Sequence, residues 1–164
     1  MKHMKHINTY KIFENKTNTL FNAIKQGNYD IAYKLINNGI DINSKVDGHN
    51  TFYYAINKSI EEGINEEFLF FLLEKNIEIE TDTFFLLLYV YVSHKPKIDI
   101  KILYKIIDDG FDLLYKKYKN MNFWEYLIDY NNFHSHKLLD DIKQKYLEKY
   151  EKYEKYLLKN KYKI

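Results

Sequence analysis

Cysteine does not occur in the 164-residue chain, which removes disulfides, thiolate metal ligands and cysteine nucleophiles together. Arginine is also missing, so all 25 basic residues are lysine. Functions that depend on a planar guanidinium fork, such as bidentate phosphate gripping, guanine readout and transition-state arginine fingers, are excluded with it. Glycine occurs five times and proline once, and no phosphate loop, nucleophile elbow or dinucleotide fingerprint can be found. No apolar stretch reaches the roughly 18 residues of a membrane span. The start, Met1-Lys2-His3-Met4-Lys5-His6, lacks the apolar run of a signal peptide. These absences predict a soluble, cytoplasmic protein with no membrane partner. With 46% hydrophobic types, the chain suits one folded unit with a continuous core.

What is abundant is lysine, asparagine, isoleucine and tyrosine, the residue usage of a very AT-rich genome, so part of the tyrosine and lysine content is background. The informative feature is an internal repeat, which has to be sought before any motif is read. Asn18-Thr19-Leu20-Phe21-Asn22-Ala23-Ile24 returns as Asn50-Thr51-Phe52-Tyr53-Tyr54-Ala55-Ile56, and divergently as Asp82-Thr83-Phe84-Phe85-Leu86-Leu87-Leu88. Asn122-Phe123-Trp124-Glu125-Tyr126-Leu127 is a fourth copy. A second block follows the first three: Gly39-Ile40-Asp41-Ile42, Asn76-Ile77-Glu78-Ile79 and Gly110-Phe111-Asp112-Leu113.

The stretches leading to that second block carry apolar residues at matching places. Ile31, Phe68 and Ile102 stand eight residues before the Gly or Asn, and Leu35-Ile36, Leu72-Leu73 and Ile106-Ile107 stand just before it. Spacings of three and four put such residues on one helical face. Gly39, Asn76 and Gly110 fall where a helix ends in a left-handed residue. Each unit therefore reads as helix, short turn, helix, stop. A pair of short helices cannot bury its apolar face alone, so successive pairs must stack. In that register Leu35, Leu72 and Ile106 are expected to be buried.

This pattern resembles the ankyrin repeat, D-x-x-G-x-T-P-L-H-x-A-A-x-x-G-H followed by a second helix and L-L-x-x-G-A-D-V-N. Residues 18–43 fit nearly a whole repeat, ending Leu35-Ile36-Asn37-Asn38-Gly39-Ile40-Asp41-Ile42-Asn43, and Asp47-Gly48-His49-Asn50-Thr51 is close to the family's hairpin finger. The resemblance covers residues 18–142. It implies an all-α, ankyrin-type helix-turn-helix repeat solenoid, here with a long C-terminal capping helix. The expected organisation is an N-terminal segment over 1–17, the repeat stack over 18–142 and a Lys/Tyr-rich helix over 143–164. The repeat style is also similar to ankyrin proteins of large DNA viruses, phages and host-associated bacteria.

The sequence departs from the family in several places. The proline of the Thr-Pro pair is missing throughout, and the family histidine is replaced by Phe21, Tyr53, Phe85 and Trp124. Aromatic packing is expected to take over the histidine's tie between repeats. The finger before the third repeat is truncated, because Asn76 to Thr83 is about five residues shorter than Gly39 to Thr51. Extra residues from Lys58 to Glu66, with Gly63 among them, predict a protruding loop. Residues 84–92 could alone be a buried strand, but the repeat register favours an aromatic-rich helix ending before Pro96. Leu139, Ile142, Tyr146, Tyr150, Tyr153 and Leu157 step by threes and fours into one continuing terminal helix.

Catalytic chemistry finds little purchase. His134 and His136 are two apart on a helix and point to different faces, whereas metal-binding helices space them by four. The Asp108-Asp109 and Asp140-Asp141 pairs lie at helix ends, where solvation explains them. Neither enzyme activity, nor a metal, cofactor or small-molecule substrate, is expected. The last 22 residues hold eight Lys and three Glu, and basic residues interleaved with tyrosine can bind nucleic acid. A cap is preferred for this helix, because its tyrosines share one face and repeat arrays need a polar-backed end.

The ankyrin resemblance implies a protein partner held by the fingers and the inner face of the first helices. Carried over residue by residue, the footprint is Val46, Asp47, His49 and Asn50 on the clearest finger. Asn22, Lys25 and Gln26 follow on the first helix, then Tyr54, Asn57 and Lys58 in the second unit, with Glu125 and Asp129 extending it into the fourth. Tyr54 is expected to be the hot spot. A stand-alone stack of this kind acts by occupying its partner, as an inhibitor or adaptor, host-directed or defence-blocking if the viral likeness holds. The alternative is nucleic-acid binding through the basic, tyrosine-rich C-terminal helix.

Overall fold

In the computed structural model, residues 17–63, 65–93, 98–114 and 120–162 are described, with only the backbone described for 61, 62 and 160–162. The expected N-terminal segment and Pro96 lie outside this set, apart from Thr17. The secondary-structure elements among the described residues are helices, and Val46 and His49 form an isolated antiparallel β-bridge. The chain divides into two compact units, Met1–Ile79 and Glu80–Ile164.

The first unit contains α1 over residues 17–25, α2 over Tyr29–Asn37, α3 over Thr51–Glu62 and α4 over Glu66–Glu74. The second contains α5 over Thr81–Ser93, α6 over Ile100–Asp108, α7 over Phe123–Tyr130, α8 over Phe133–Lys145 and α9 over Leu147–Tyr162. Polar residues start the helices: Asn28, Asn50, Asn65, Asp99, Asn122 and Asn132 each accept a backbone N–H of the following turn. Short helices need this, because their first N–H groups have no partner within the helix.

The repeat read from sequence returns as a repeated set of hydrogen bonds. Gly39, Asn76 and Gly110 have φ of 83°, 56° and 103°. At α2 the N–H of Ile40 reaches Leu35 O and that of Gly39 reaches Ile36 O. Ile77 and Asn76 do the same to Leu72 and Leu73, and Phe111 and Gly110 to Ile106 and Ile107. All three second helices thus end in the same left-handed motif, which satisfies carbonyls that a helix end leaves open. Just beyond, Asp41 Oδ1 accepts the N–H of Asn43 at 2.9 Å, and Asp112 Oδ1 accepts that of Leu114 at 2.9 Å. The N–H of Thr51 meets Ile42 O, and that of Phe123 meets Leu113 O. Equivalent residues make equivalent bonds in the two units.

Phe52, Ala55 and Ile56 of α3 and Phe68, Leu69, Leu72 and Leu73 of α4 form the core of the first unit with Leu20, Ile24, Ala32 and Ile36. In the second unit, α8 packs on α5, α7 and α9. The core there includes Phe84, Leu87 and Leu88, Ile102, Leu103, Ile106 and Ile107, Trp124 and Leu127, and Leu138 and Ile142. Residues 84–92 are helical, as the repeat register requires: α5 is buried along most of its length.

Three expectations are revised. Leu72 and Ile106 are fully buried, but Leu35 is half-buried and Ile31 is exposed. On α2, Tyr29 and Tyr33 turn to α4, where their rings lie 4.9 and 5.2 Å from that of Phe68. Residues 31 and 35 are then on roughly the opposite side of a helix that turns about 100° per residue. Leu72→Ala and Ile106→Ala are therefore expected to cost about 2–5 kcal/mol each, but Leu35→Ala about 1 kcal/mol, because less of its apolar area leaves water. Urea melts of the three variants check this ordering.

The second revision concerns residues 58–66. Most of the extra length extends α3 to Glu62, with Ser59 Oγ bonded to Ala55 O at 2.7 Å. Gly63 ends the helix at φ 99°, so no long loop protrudes. The third is the terminal helix, which is not continuous with α8. Tyr146 breaks it at φ −123° and ψ 49°, and α9 beyond the break lays Tyr150 and Tyr153 on Trp124. The break falls three residues past the boundary expected at 143.

Candidate partner-binding surface

The finger is built by two residues. Asp47 and Gly48 have φ of 53° and 83°, the pair of positive values that a type I′ turn demands and that Asp-Gly supplies at low cost. Val46 and His49 flank the turn and exchange both backbone hydrogen bonds at 3.0 Å. The His49 ring stacks on Tyr53 at 3.6 Å and 8°. The tip is thus held from its base as well as through its own backbone.

Tyr54 of α3 braces this hairpin against α1. Its hydroxyl donates to Val46 O at 2.9 Å, with Asp47 Oδ2 at 3.5 Å. Its ring meets Phe21 edge-on at 4.9 Å, and Lys25 Nζ lies 4.6 Å above its centre. Burial, followed by the charge of Asp47 and the hydrogen bond to it, pushes the phenol above its ordinary pKa. Tyr54 is 8% exposed, so the position expected to be the hot spot is largely buried beneath the finger. It is a buried strut, and removing its ring would loosen the finger.

Asn50 is also reassigned by burial. Only 1% exposed, it caps α3 through Oδ1 and donates from Nδ2 to Glu78 O at 2.7 Å. Asn43 Oδ1 accepts the N–H of Glu78 at 2.8 Å. Two asparagines therefore clip one residue of the segment after α4 from both sides, beside the aromatic contacts expected to tie the repeats. The pairing was hidden in sequence because 28 and 35 residues separate the partners.

Of the remaining expected contacts in this unit, Asn22, Lys25, Gln26, Asp47 and Asn57 are exposed, and Val46, His49 and Lys58 are half-buried. Lys25, Tyr54, Asn57 and Lys58 line one depression of about 290 Å³. Glu125 and Asp129 belong to the second unit. Glu125 is half-buried and its carboxylate accepts the N–H of Asn122 at 2.9 Å, closing a capping box on α7. Its first use is structural. Asp129 is exposed near Ile128.

Tyr146, Tyr150 and Tyr153 of the basic tail turn their rings inward. Tyr153 is 2% exposed and stacked on Trp124 at 5.7 Å, with Tyr150 edge-on at 5.2 Å. Tyr146 donates to Tyr104 O at 3.1 Å, and burial, then the hydrogen bond and charge of Asp108, push its phenol far up. Lys149 donates to Ile107 O at 2.7 Å, at the open end of α6. Lys145 lies 3.8 Å above the Tyr104 ring and 3.8 Å from Asp108, and Asp109 is paired with Lys105.

His136 pairs with Asn131 at 2.9 Å. Among the described residues no group of three or more His, Asp or Glu is placed to hold a metal ion. No helix among them is long and apolar enough to cross a membrane.

The fold and this surface define a class, an all-α protein with recurring helix terminations and a hairpin finger at 46–49. Comparison with family models, characterised proteins and solved structures returns no match to the chain.

Proposed function

We propose that this chain is an ankyrin-type repeat protein that binds a partner protein in the cytoplasm and acts by occupying it, as an inhibitor or adaptor, without catalysis or cofactor. The observation that carries the reading is the type I′ hairpin at 46–49, braced by Tyr54 and standing beside the exposed polar face of α1. Side chains fixed before binding lose less entropy when the complex forms. A depression with few convergent polar groups suits a contact surface better than an active site.

The binding residues are taken to be Asn22, Lys25, Gln26, Asp47 and Asn57, with Val46, His49 and Lys58 contributing their exposed edges. Asn50 and Tyr54 support them from below. The test begins with affinity capture of the partner on the tagged chain. Dissociation constants are then measured for the folded triple variant Asn22→Ala, Gln26→Ala and Asp47→Ala. At least a tenfold loss of affinity, about 1.4 kcal/mol, is expected. A change within threefold moves the surface elsewhere. Binding of a single-stranded oligonucleotide that falls steeply with salt would favour the tail instead, although its inward-facing Tyr150 and Tyr153 offer bases little to stack on.

A further inference from the structure

Three of the five glycines follow an asparagine or an aspartate, in Asn38-Gly39, Asp47-Gly48 and Asp109-Gly110. At such a pair the glycine nitrogen can attack the side-chain carbonyl carbon and close a five-membered succinimide, with no side chain on the glycine to hinder it. The fold treats the three pairs differently. The N–H of Gly39 is bonded to Ile36 O at 2.9 Å and that of Gly110 to Ile107 O at 3.2 Å, so both nitrogens are tied into helix ends. Gly48 is exposed at the finger tip, and its N–H makes no hydrogen bond among the described residues. Backbone angles separate the pairs again. Ring closure eclipses Cβ with the attacking nitrogen about the Cα–C bond, which for an L-residue requires ψ of about −120°, the value at the first central residue of a type II′ turn. Asn38 and Asp109 have ψ of 11° and 0°, and turning either would break the bond of its glycine. Asp47 already has the positive φ that types I′ and II′ share, 53°. Flipping the Asp47–Gly48 peptide plane alone carries one turn into the other and leaves both Val46–His49 hydrogen bonds in place. There is room for it, since a Cβ added at Gly48 meets nothing within 4 Å. The flipped turn favours glycine at its first central position, so Asp47 visits it transiently and ring closure captures it there.

We propose that Asp47-Gly48 is a self-modification site, at which the finger converts slowly to isoaspartate without an enzyme. Gly48 N bonds to Asp47 Cγ, the amide hydrogen and the carboxyl hydroxyl leave as water, and the succinimide forms. Water then adds to one of the two ring carbonyls. Opening at Cγ restores aspartate, whereas opening at the main-chain carbonyl of Asp47 leaves the backbone running through Cβ and Cγ. One water is lost and one gained, so mass is unchanged and no other reactant is needed. The added methylene lengthens a loop of two residues whose turn geometry sets the pairing of Val46 with His49. The hairpin then opens. On the reading of this face as the binding surface, partner affinity falls with it.

The test is to age the folded full chain in neutral buffer beside the same chain in urea, and to score isoaspartate by electron-transfer fragmentation of proteolytic peptides. In the folded chain isoaspartate is expected to form at Asp47 at least tenfold faster than at Asp109, and in urea the two rates are expected to agree within threefold. Asp47→Asn places the more reactive Asn-Gly pair in the finger, and this pair also suits a type I′ turn, so the hairpin is kept. The variant is expected to deamidate at position 47, with a rise in mass, at least tenfold faster than at Asn38 of the same molecule. A ratio below threefold in either folded comparison would overturn the proposal. So would isoaspartate at Asp47 that forms in urea alone. If a captured partner protein binds chain carrying isoaspartate at 47 as tightly as fresh chain, the modification stands and the finger's part in binding falls.

Discussion

Trp124→Ala is expected to lower the stability of the second unit by about 3–5 kcal/mol, the range for removing a fully buried aromatic side chain. Trp124 is 0% exposed. Its indole meets Phe123 edge-on at 5.0 Å within α7, and on α9 it meets Tyr150 at 5.2 Å and Tyr153 at 5.7 Å. The loss combines the transfer free energy of the indole, the cavity left behind and the aromatic pairs, each of which adds about 0.5–1.5 kcal/mol beyond burial. Because the platform for Tyr150 and Tyr153 disappears, α9 should open before the rest of the unit. Hydrogen exchange is the direct readout: amides of residues 147–159 should lose protection in the variant, while those of α6 keep more of theirs. Unchanged exchange across α9 with a normal urea midpoint would show that the tail is held by something other than this indole.

Phe68→Ala is expected to cost about 3–5 kcal/mol in the first unit, for the same physical reason at a different junction. Phe68 is 0% exposed and gathers Tyr29 at 4.9 Å and Tyr33 at 5.2 Å from α2. Its removal takes away two of the aromatic contacts between α2 and α4 and leaves that of Tyr33 with Phe71 at 4.7 Å. The two variants separate cleanly, because Phe68 and Trp124 belong to different compact units and distant sites add within about 0.5 kcal/mol. A urea midpoint for Phe68→Ala within experimental error of the parent would show that α2 and α4 are held by other contacts, such as that of Tyr33 with Phe71.

How far the sequence could be read depended on the range of the interaction. Gly39, Asn76 and Gly110 were legible as helix stops because the bonds they organise reach back only five residues, and the matching Asp41 and Asp112 turns are equally local. Asp47-Gly48 was legible for the same reason: two adjacent residues with positive φ define the hairpin. The helical state of residues 84–92 followed from register, which overrode the β-preference of its valines and tyrosines.

The candidate surface was only partly legible. A repeat pattern says which helix a residue is on and roughly which way it points, but exposure is set by whatever packs against that point. Tyr54 and Asn50 occupy contact positions in the pattern and yet are 8% and 1% exposed, because Val46 and Glu78 reach them from other segments. Glu125 holds a contact position in the pattern, but its i−3 asparagine is also a capping-box signal, and its carboxylate closes that box.

By itself the sequence determined the helices, their stops and the finger's turn, since these are written in spacings of a few residues and in backbone angles that few residue types adopt. Only tertiary structure decided that Tyr54 is buried and bonded to Val46 O, and that Asn43 and Asn50 clip Glu78. It also decided that Tyr146 breaks the terminal helix so that α9 reaches Trp124. Each of these outcomes rests on packing or a hydrogen bond between groups far apart in the chain, and burial of a polar or aromatic group is a property of its neighbours rather than of the residue.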